Sequence, residues 1–351
     1  MRVLVVGPSP EKSKGGMATV ISEIRDDQQL AKKYGIDIYD SFVDGGKAKR
    51  FFYSVYAFVK FFLTKRQYDV YHIHAASKGS TFRKGYYVRA AKKWGKKVIL
   101  HIHGARYMEF YNGLSDKKKA EMISILKTAD MVIALSQDWK KKFDQTFGLT
   151  NCVVLENGIN MERLASAITK PEVHQKSFVT LGRLGERKGT YDLVDAVEIA
   201  VKSVPDMKVY LAGDGDVEQI RQLVQNKGLE QNVEVVGWAN FDKKLDLLSH
   251  VSTVVLPSYN EGLPMSVLEG MACGKAIIST KVGAIPEVVK NENGILIDAG
   301  DVNALADALV KCSTDLEMVA DMGTQNIAKI QNEFSMTVMH RLLADYYDQV
   351  I

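Results

Sequence analysis

The chain has 351 residues, of which 46% are hydrophobic and 25% charged, a length that calls for roughly two domains and a composition ordinary for a globular protein. No apolar run reaches the roughly twenty residues of a membrane span, Met1-Arg-Val-Leu-Val-Val-Gly7 reads as a first strand and not a signal peptide, and Cys152, Cys273 and Cys312 show neither metal-ligand spacing nor an even disulfide framework. The net charge of +4 is uneven: residues 1–165 hold 29 Lys+Arg against 16 Asp+Glu (+13), residues 166–351 hold 17 against 26 (−9), so the first half suits nucleic acid, an anionic membrane or acidic substrates.

Strand-like apolar runs alternate with helix-length segments, the pattern of βαβ units and parallel sheets. In the first half the predicted strands are Val3–Gly7, Ile36–Tyr39, Val70–His74, Lys97–His103, Met131–Leu135 and Cys152–Leu155. The second half repeats the plan with Ser177–Leu181, Lys208–Ala212, Val233–Val236, Val251–Leu256, Ala276–Thr280 and Gly294–Ile297. This predicts an α/β chain of two doubly wound, Rossmann-like domains in tandem, joined by a Pro171-containing linker over Gly158–Lys176. Two helices, Asp315–Ile330 and Ser335–Val350, follow with no strand behind them, and the last needs an apolar surface to cover.

Ligands of open parallel sheets bind at the carboxyl ends of the strands, so the loops there carry the functional reading. After the first strand, Gly15 and Gly16 precede a helix, where backbone can approach a ligand or simply turn tightly. The segment Lys47–Arg66 is basic at both ends and aromatic between. As a helix it is either an interfacial anchor or a buried helix with snorkelling ends, and Lys84, Arg89, Lys92, Lys93, Lys96 and Lys97 incline toward a membrane face. His101 and His103 share one side of the fourth strand. His101 reads as a core histidine and His103, at the strand tip beside Gly104, as a ligand-facing one; a metal pair is the alternative, but it lacks nearby Cys, Asp or Glu ligands at a sensible spacing.

In the second half Arg183, Arg187 and Lys188 follow one strand between glycines, a guanidinium and ammonium set suited to a pyrophosphate. Gly213-Asp214-Gly215-Asp216 is a partial dinucleotide fingerprint, read as a nest of backbone N–H groups near a nucleotide, although its D-x-D also suits a metal-nucleotide. Trp238 offers either a base-stacking surface or core packing. Glu261 lies in a strand-to-helix loop, Gly262-Leu263-Pro264-Met265 opens the helix, and Glu269 lies inside it. A helix start suits a phosphate and two carboxylates suit hydroxyls, so a nucleotide sugar is the expected ligand. Val282-Gly-Ala-Ile-Pro-Glu287 reads as a closing ligand loop.

Together Gly15-Gly16, His103-Gly104, Gly182-Arg183 with Lys188-Gly189, Gly213-Asp-Gly215, Glu261 through Glu269, and Gly283-Ala-Ile-Pro-Glu287 resemble the family-4 retaining glycosyltransferases of GT-B fold. The resemblance runs from the first strand to the last helix and is most specific over residues 177–290. It implies an acceptor-binding domain at 1–165, a nucleotide-sugar domain at 166–334 facing it across a cleft, and a helix at 335–351 packing back on the first. It further implies that Arg183 and Lys188 hold the donor diphosphate, Glu269 the ribose, Glu261 and the backbone of Gly262 to Met265 the sugar and phosphate, with His103 beside the transferred sugar and Gly16 beside the phosphate. Catalysis is then expected from His103, Arg183, Lys188 and Glu261, without metal or cofactor. Expected partners are a nucleotide sugar, most simply a UDP-sugar, and a glycan or lipid-linked acceptor of capsule, exopolysaccharide or lipopolysaccharide. The expected setting is the cytoplasm, with peripheral membrane contact and no nucleic acid. A nucleotide-sugar epimerase and a catalytically silent sugar-nucleotide or membrane-binding protein are the rival readings.

Overall fold

A computed structural model describes residues 1–13, 16–104, 107–168 and 174–351. The chain divides into two compact units, Met1–Asn157 with Met336–Ile351, and Gly158–Ser335. The division falls at Asn157/Gly158 instead of 165/166 because Met161–Ile168 is a helix whose Leu164 and Ala167 join the second unit's core, and Ile159 bridges Ser335 there. The expected linker is thus partly helix, and its Pro171 lies outside the described residues.

The first unit holds β1 (Val3–Pro8), β2 (Asp37–Phe42), β3 (Val70–Ala75), β4 (Lys97–Ile102), β5 (Met131–Ala134) and β6 (Cys152–Val154). They form one parallel sheet in the order β2-β1-β3-β4-β5-β6. Helices cover both faces, which is why Val3 to Val6 read as a continuous apolar run and all of β3, His72 and His74 included, is buried. One face packs on helices Lys47–Thr64 and Gly79–Lys93, the other on Gly16–Asp26 and Met336–Val350. Local chemistry sets the helix ends. Ser136 Oγ accepts from Trp139 N at 3.2 Å, and Gly148 closes the same helix at φ +59°.

The helix Met336–Val350 finds its apolar surface on this unit. Met339, Leu343, Tyr347 and Val350, at helical spacing, are buried with Val3, Val5 and Ile99. Burial of each such side chain contributes roughly 1.5–3 kcal/mol. Tyr346 Oη donates to Val154 O at 2.6 Å and Tyr34 Oη to Ala344 O at 2.9 Å.

The second unit holds β7 (His174–Leu181), β8 (Lys208–Ala212), β9 (Val233–Gly237), β10 (Val251–Leu256), β11 (Ala276–Thr280) and β12 (Gly294–Ile297). Their order is β12-β11-β10-β7-β8-β9, again parallel throughout. Each predicted strand is present, with ends shifted by a few residues at most. The order reverses beside β1 in the first sheet, with β2 and β3 on its two sides, and between β7 and β10 in the second. Those are the points where strand ends diverge and leave a crevice.

Candidate functional site

In the second unit the loops after β7 and β10 meet at the reversal point. Tyr259 N donates to Arg187 O at 2.9 Å, and a Cβ on Gly189 would lie 2.0 Å from Pro257 O. Gly189 also holds φ +65°, so close approach and backbone conformation both demand glycine. This apposition brings Lys188 Nζ to 2.6 Å from Glu261 Oε1, with side chains only 12% and 8% exposed. Arg187 Nη1 stands 3.4 Å from the same carboxylate oxygen and 2.9 Å from Asn260 O. Arg183 is exposed and, among the described contacts, makes no ion pair. Its charge is free to meet an anion.

The helix Met265–Ala272 starts beside this pair. Pro264 is its N-cap, one position earlier than the first-turn place expected for it, and no side chain caps the helix, so its leading N–H groups face outward unspent by any side chain. Leu263 is buried and Gly262 O accepts from Ala284 N at 3.0 Å. Gly283, at φ +57°, approaches so closely that a Cβ would lie 2.2 Å from Glu261 O. The loop carrying Glu287 is thereby locked against the Glu261 loop. Glu269 pairs with Lys244 at 2.5 Å. Lys244, on helix Phe241–His250, was not singled out in the sequence, where it is one lysine of a polar helical face.

Gly213 and Gly215 are explained by packing. A Cβ on Gly213 would meet Gly182 O at 1.7 Å and one on Gly215 would meet Leu184 O at 2.2 Å, because the loops after β7 and β8 continue as a two-strand bridge, Leu184 with Gly215. The expected nest of free N–H groups is not formed at Gly213, whose N–H donates to Gly237 O at 2.7 Å. Asp214 is exposed, and Asp216 accepts from Tyr191 Oη at 3.2 Å. Trp238 is 72% exposed, which removes core packing as its role.

In the first unit His101 and His103 do share a face, with ring centroids 4.0 Å apart. The register that sets His74 opposite His101 adds His72 and His74 to the same face. His103 Nε2 and His74 Nδ1 are 2.9 Å apart. His72 Nε2 lies 3.2 Å from His101 Nδ1 and its Nδ1 lies 2.8 Å from Tyr347 Oη. Burial pushes all four imidazoles down, His72 and His103 to about 3, so they are neutral hydrogen-bonding rings at physiological pH. Ligand nitrogens of His72, His74 and His101 lie within 4.8 Å of one another. Among the described residues this is a group whose geometry could hold a metal ion, and it contains no carboxylate.

Gly15 lies outside the described residues. Gly16 begins a helix, and a Cβ there would meet nothing within 4 Å. It lines a cavity of about 990 Å³ at the carboxyl ends of β1 and β3. The segment read as either anchor or buried helix is the helix Lys47–Thr64, with one face buried and the other exposed. Ala57 and Phe61 face the sheet, while Phe51, Phe52, Val55, Tyr56, Val59 and Leu63 are exposed. Among the described residues no helix is long and apolar enough to cross a membrane.

The second unit thus sets a cationic loop and carboxylates at its reversal point, an arrangement suited to an anionic ligand that carries hydroxyls. A sequence profile described as "Glycosyltransferase Family 4" matches residues 13–163 and one described as "Glycosyl transferases group 1" matches residues 175–315. An Escherichia coli UDP-Gal:alpha-D-GlcNAc-diphosphoundecaprenol alpha-1,3-galactosyltransferase is 25% identical over 315 residues, 82% of this chain and 77% of its own. An amylovoran biosynthesis glycosyltransferase of Erwinia amylovora is 23% identical over 296 residues, 80% and 70% of the two chains. The Anabaena HepE crystal structure in complex with UDP superposes with a TM-score of 0.78 at 19% identity, over 99% of this chain and all of that one. The chain belongs to the family-4 glycosyltransferases and has the GT-B fold.

Proposed function

We propose that this glycosyltransferase moves a sugar, with retention of configuration and without a metal, from a UDP-sugar to a lipid-linked glycan during cell-surface polysaccharide synthesis. The observation that carries the reading is the Lys188–Glu261 pair at the reversal point, beside the uncapped start of Met265–Ala272 and the unpaired Arg183. Departing diphosphate needs positive charge where negative charge develops, and Lys188, Arg183, Arg187 and helix N–H groups supply it in fixed positions. That cationic set performs the charge neutralisation a divalent ion would otherwise provide. Glu261 and Glu269 accept hydrogen bonds from the sugar and ribose hydroxyls, and Trp238 offers a ring to the base. In the first unit His103 is a neutral ring able to hydrogen-bond a sugar hydroxyl.

Retention follows from attack on the face the leaving group departs. The acceptor hydroxyl oxygen bonds to the anomeric carbon as the carbon–oxygen bond to the diphosphate breaks, and the hydroxyl proton passes to the departing phosphate oxygen. UDP in the complex of the Anabaena structure and the diphosphoundecaprenol-linked acceptor named for the Escherichia coli relative support the choice of substrates. Basic residues around an exposed aromatic helix support work at a cytoplasmic membrane surface.

Incubation with a panel of UDP-sugars and a diphospholipid-linked sugar is expected to give an elongated lipid whose new bond keeps the donor's anomeric configuration, at a rate unchanged by EDTA. Inverted product, or epimerised donor released without any acceptor, would overturn the assignment.

A further inference from the structure

The 990 Å³ cavity of the first unit has one charged end and one apolar wall. Lys47, Arg50, Lys78, Arg83 and Lys84 line it, five cations against one carboxylate, Asp44. Lys84 is the unusual member, only 4% exposed. Its ammonium donates to Ser41 Oγ and lies 5.3 Å from the Tyr87 ring centroid, and among the described residues no carboxylate pairs with it. Ser41 spends its own proton on Gly7 O at 2.8 Å. Burial pushes the Lys84 ammonium down to about 7. Ser13 Oγ, in the same lining, is buried and has no hydrogen-bond partner among the described residues. A buried cation without a counter-ion is costly, and the missing anion belongs in the cavity.

The other wall says what the anion is attached to. Phe51, Val55 and Val59 project from helix Lys47–Thr64 at 65%, 49% and 50% exposure, with Tyr86 at 56% beside them. The stripe continues past the cavity to Leu63 at 68%. A small inorganic or sugar phosphate would fill the charged end and leave this wall wet.

We propose that the cavity seats the diphosphate of the lipid carrier of the acceptor, with Lys84 and Arg83 on phosphate oxygens and the first lipid segments along Phe51, Val55 and Val59. The proposal rests on the reading of the acceptor as lipid-linked, and it assigns that acceptor's anion subsite. Lys47 and Arg50 stand four and one residues before Phe51 on the same helix and add two cations to the same lining. The positive balance of the first 165 residues thereby acquires a specific use.

The test is calorimetric titration of the full chain with farnesyl diphosphate below its micelle concentration, inorganic pyrophosphate and farnesol, with UDP held at saturation to block the second unit. Farnesyl diphosphate is expected to bind at least about tenfold more tightly than either pyrophosphate or farnesol. Lys84→Met is expected to weaken farnesyl diphosphate and pyrophosphate by about 10- to 100-fold, the loss of a charge-assisted contact. Phe51→Ser, at an exposed position that leaves the fold intact, is expected to weaken farnesyl diphosphate alone. Equal affinity for pyrophosphate and farnesyl diphosphate, or wild-type affinity in Lys84→Met, would overturn the site. Loss of UDP binding with farnesyl diphosphate binding intact would sustain it and remove the donor reading instead.

Discussion

Replacing Lys188 separates its structural task from its catalytic one. Its ammonium lies 2.6 Å from Glu261 Oε1, a pair with side chains 12% and 8% exposed. The direct attraction is roughly 6 kcal/mol at an effective dielectric of about 20, most of it offset by lost hydration. Breaking a buried pair on one side costs about 3–5 kcal/mol because the partner stays charged. Arg187, 3.4 Å from the same oxygen, compensates Glu261 in part, so Lys188→Ala is expected to lose about 2–4 kcal/mol. For a unit of this size each kcal/mol shifts the melting midpoint by roughly 2–4 °C, so a drop on the order of 5–15 °C is expected. Lys188→Met with Glu261→Met removes both charges and should melt within a few degrees of the wild type. Turnover behaves differently. Loss of a cation at the departing diphosphate should lower kcat by about 10²- to 10³-fold at saturating donor, and the double variant should recover none of it. The assays are thermal melting and UDP release. Recovery of turnover along with stability would show that neither charge takes part in the chemistry and that Lys188→Ala fails only through an unpaired Glu261, and would refute the catalytic argument.

Sequence legibility tracked whether a feature depends on neighbours in the chain or across the sheet. The twelve strands were readable because strands buried on both faces are apolar runs bounded by turn residues, as Val251–Leu256 is. Their spatial order was not, since nothing in Val70–Ala75 states that it lies beside β1 while β2 lies on the other side. For the same reason His103 was found at its strand tip, but its partner His74 was invisible. Only the β3–β4 register joins residues 29 positions apart. Glycines were recognised as special and partly misread. Gly213 reads from the sequence as part of a nest of backbone N–H groups near a nucleotide, whereas its missing Cβ makes room for Gly182 O. Lys84 read as one more cation of a basic helix, because burial at β1, β2 and β3 ends is a tertiary property. The helix Lys47–Thr64 posed a choice between two faces that the fold uses together, Phe61 inward and Phe51 outward.

Two further outcomes follow from buried groups of the first unit. His74→Leu removes the 2.9 Å contact that fixes which nitrogen of His103 carries the proton. Steady-state kinetics should show kcat reduced by about tenfold with donor KM little changed, and His74→Asn, which keeps a hydrogen-bonding group, should recover part of the loss. A raised KM with unchanged kcat would contradict a positioning role. Lys84 sets a pH dependence whose sign can be derived. Its folded value of about 7 lies below the ordinary 10.5, so between those pH values the unfolded chain binds more protons and stability rises with pH. Below about 7 both states are protonated and the cost is constant. A shift of this size corresponds to at most roughly 5 kcal/mol, so without ligand the melting temperature of the first unit should climb from pH 7 toward pH 10 relative to Lys84→Met. The variant should be the more stable protein at pH 7, since it carries no buried charge. Saturating farnesyl diphosphate should reverse that ranking, because a bound anion raises the Lys84 pKa and stabilises the wild type alone. A variant that melts no higher than wild type at pH 7, with the same pH slope, would mean that Lys84 is already compensated inside the fold and that the cavity has no need of an anion.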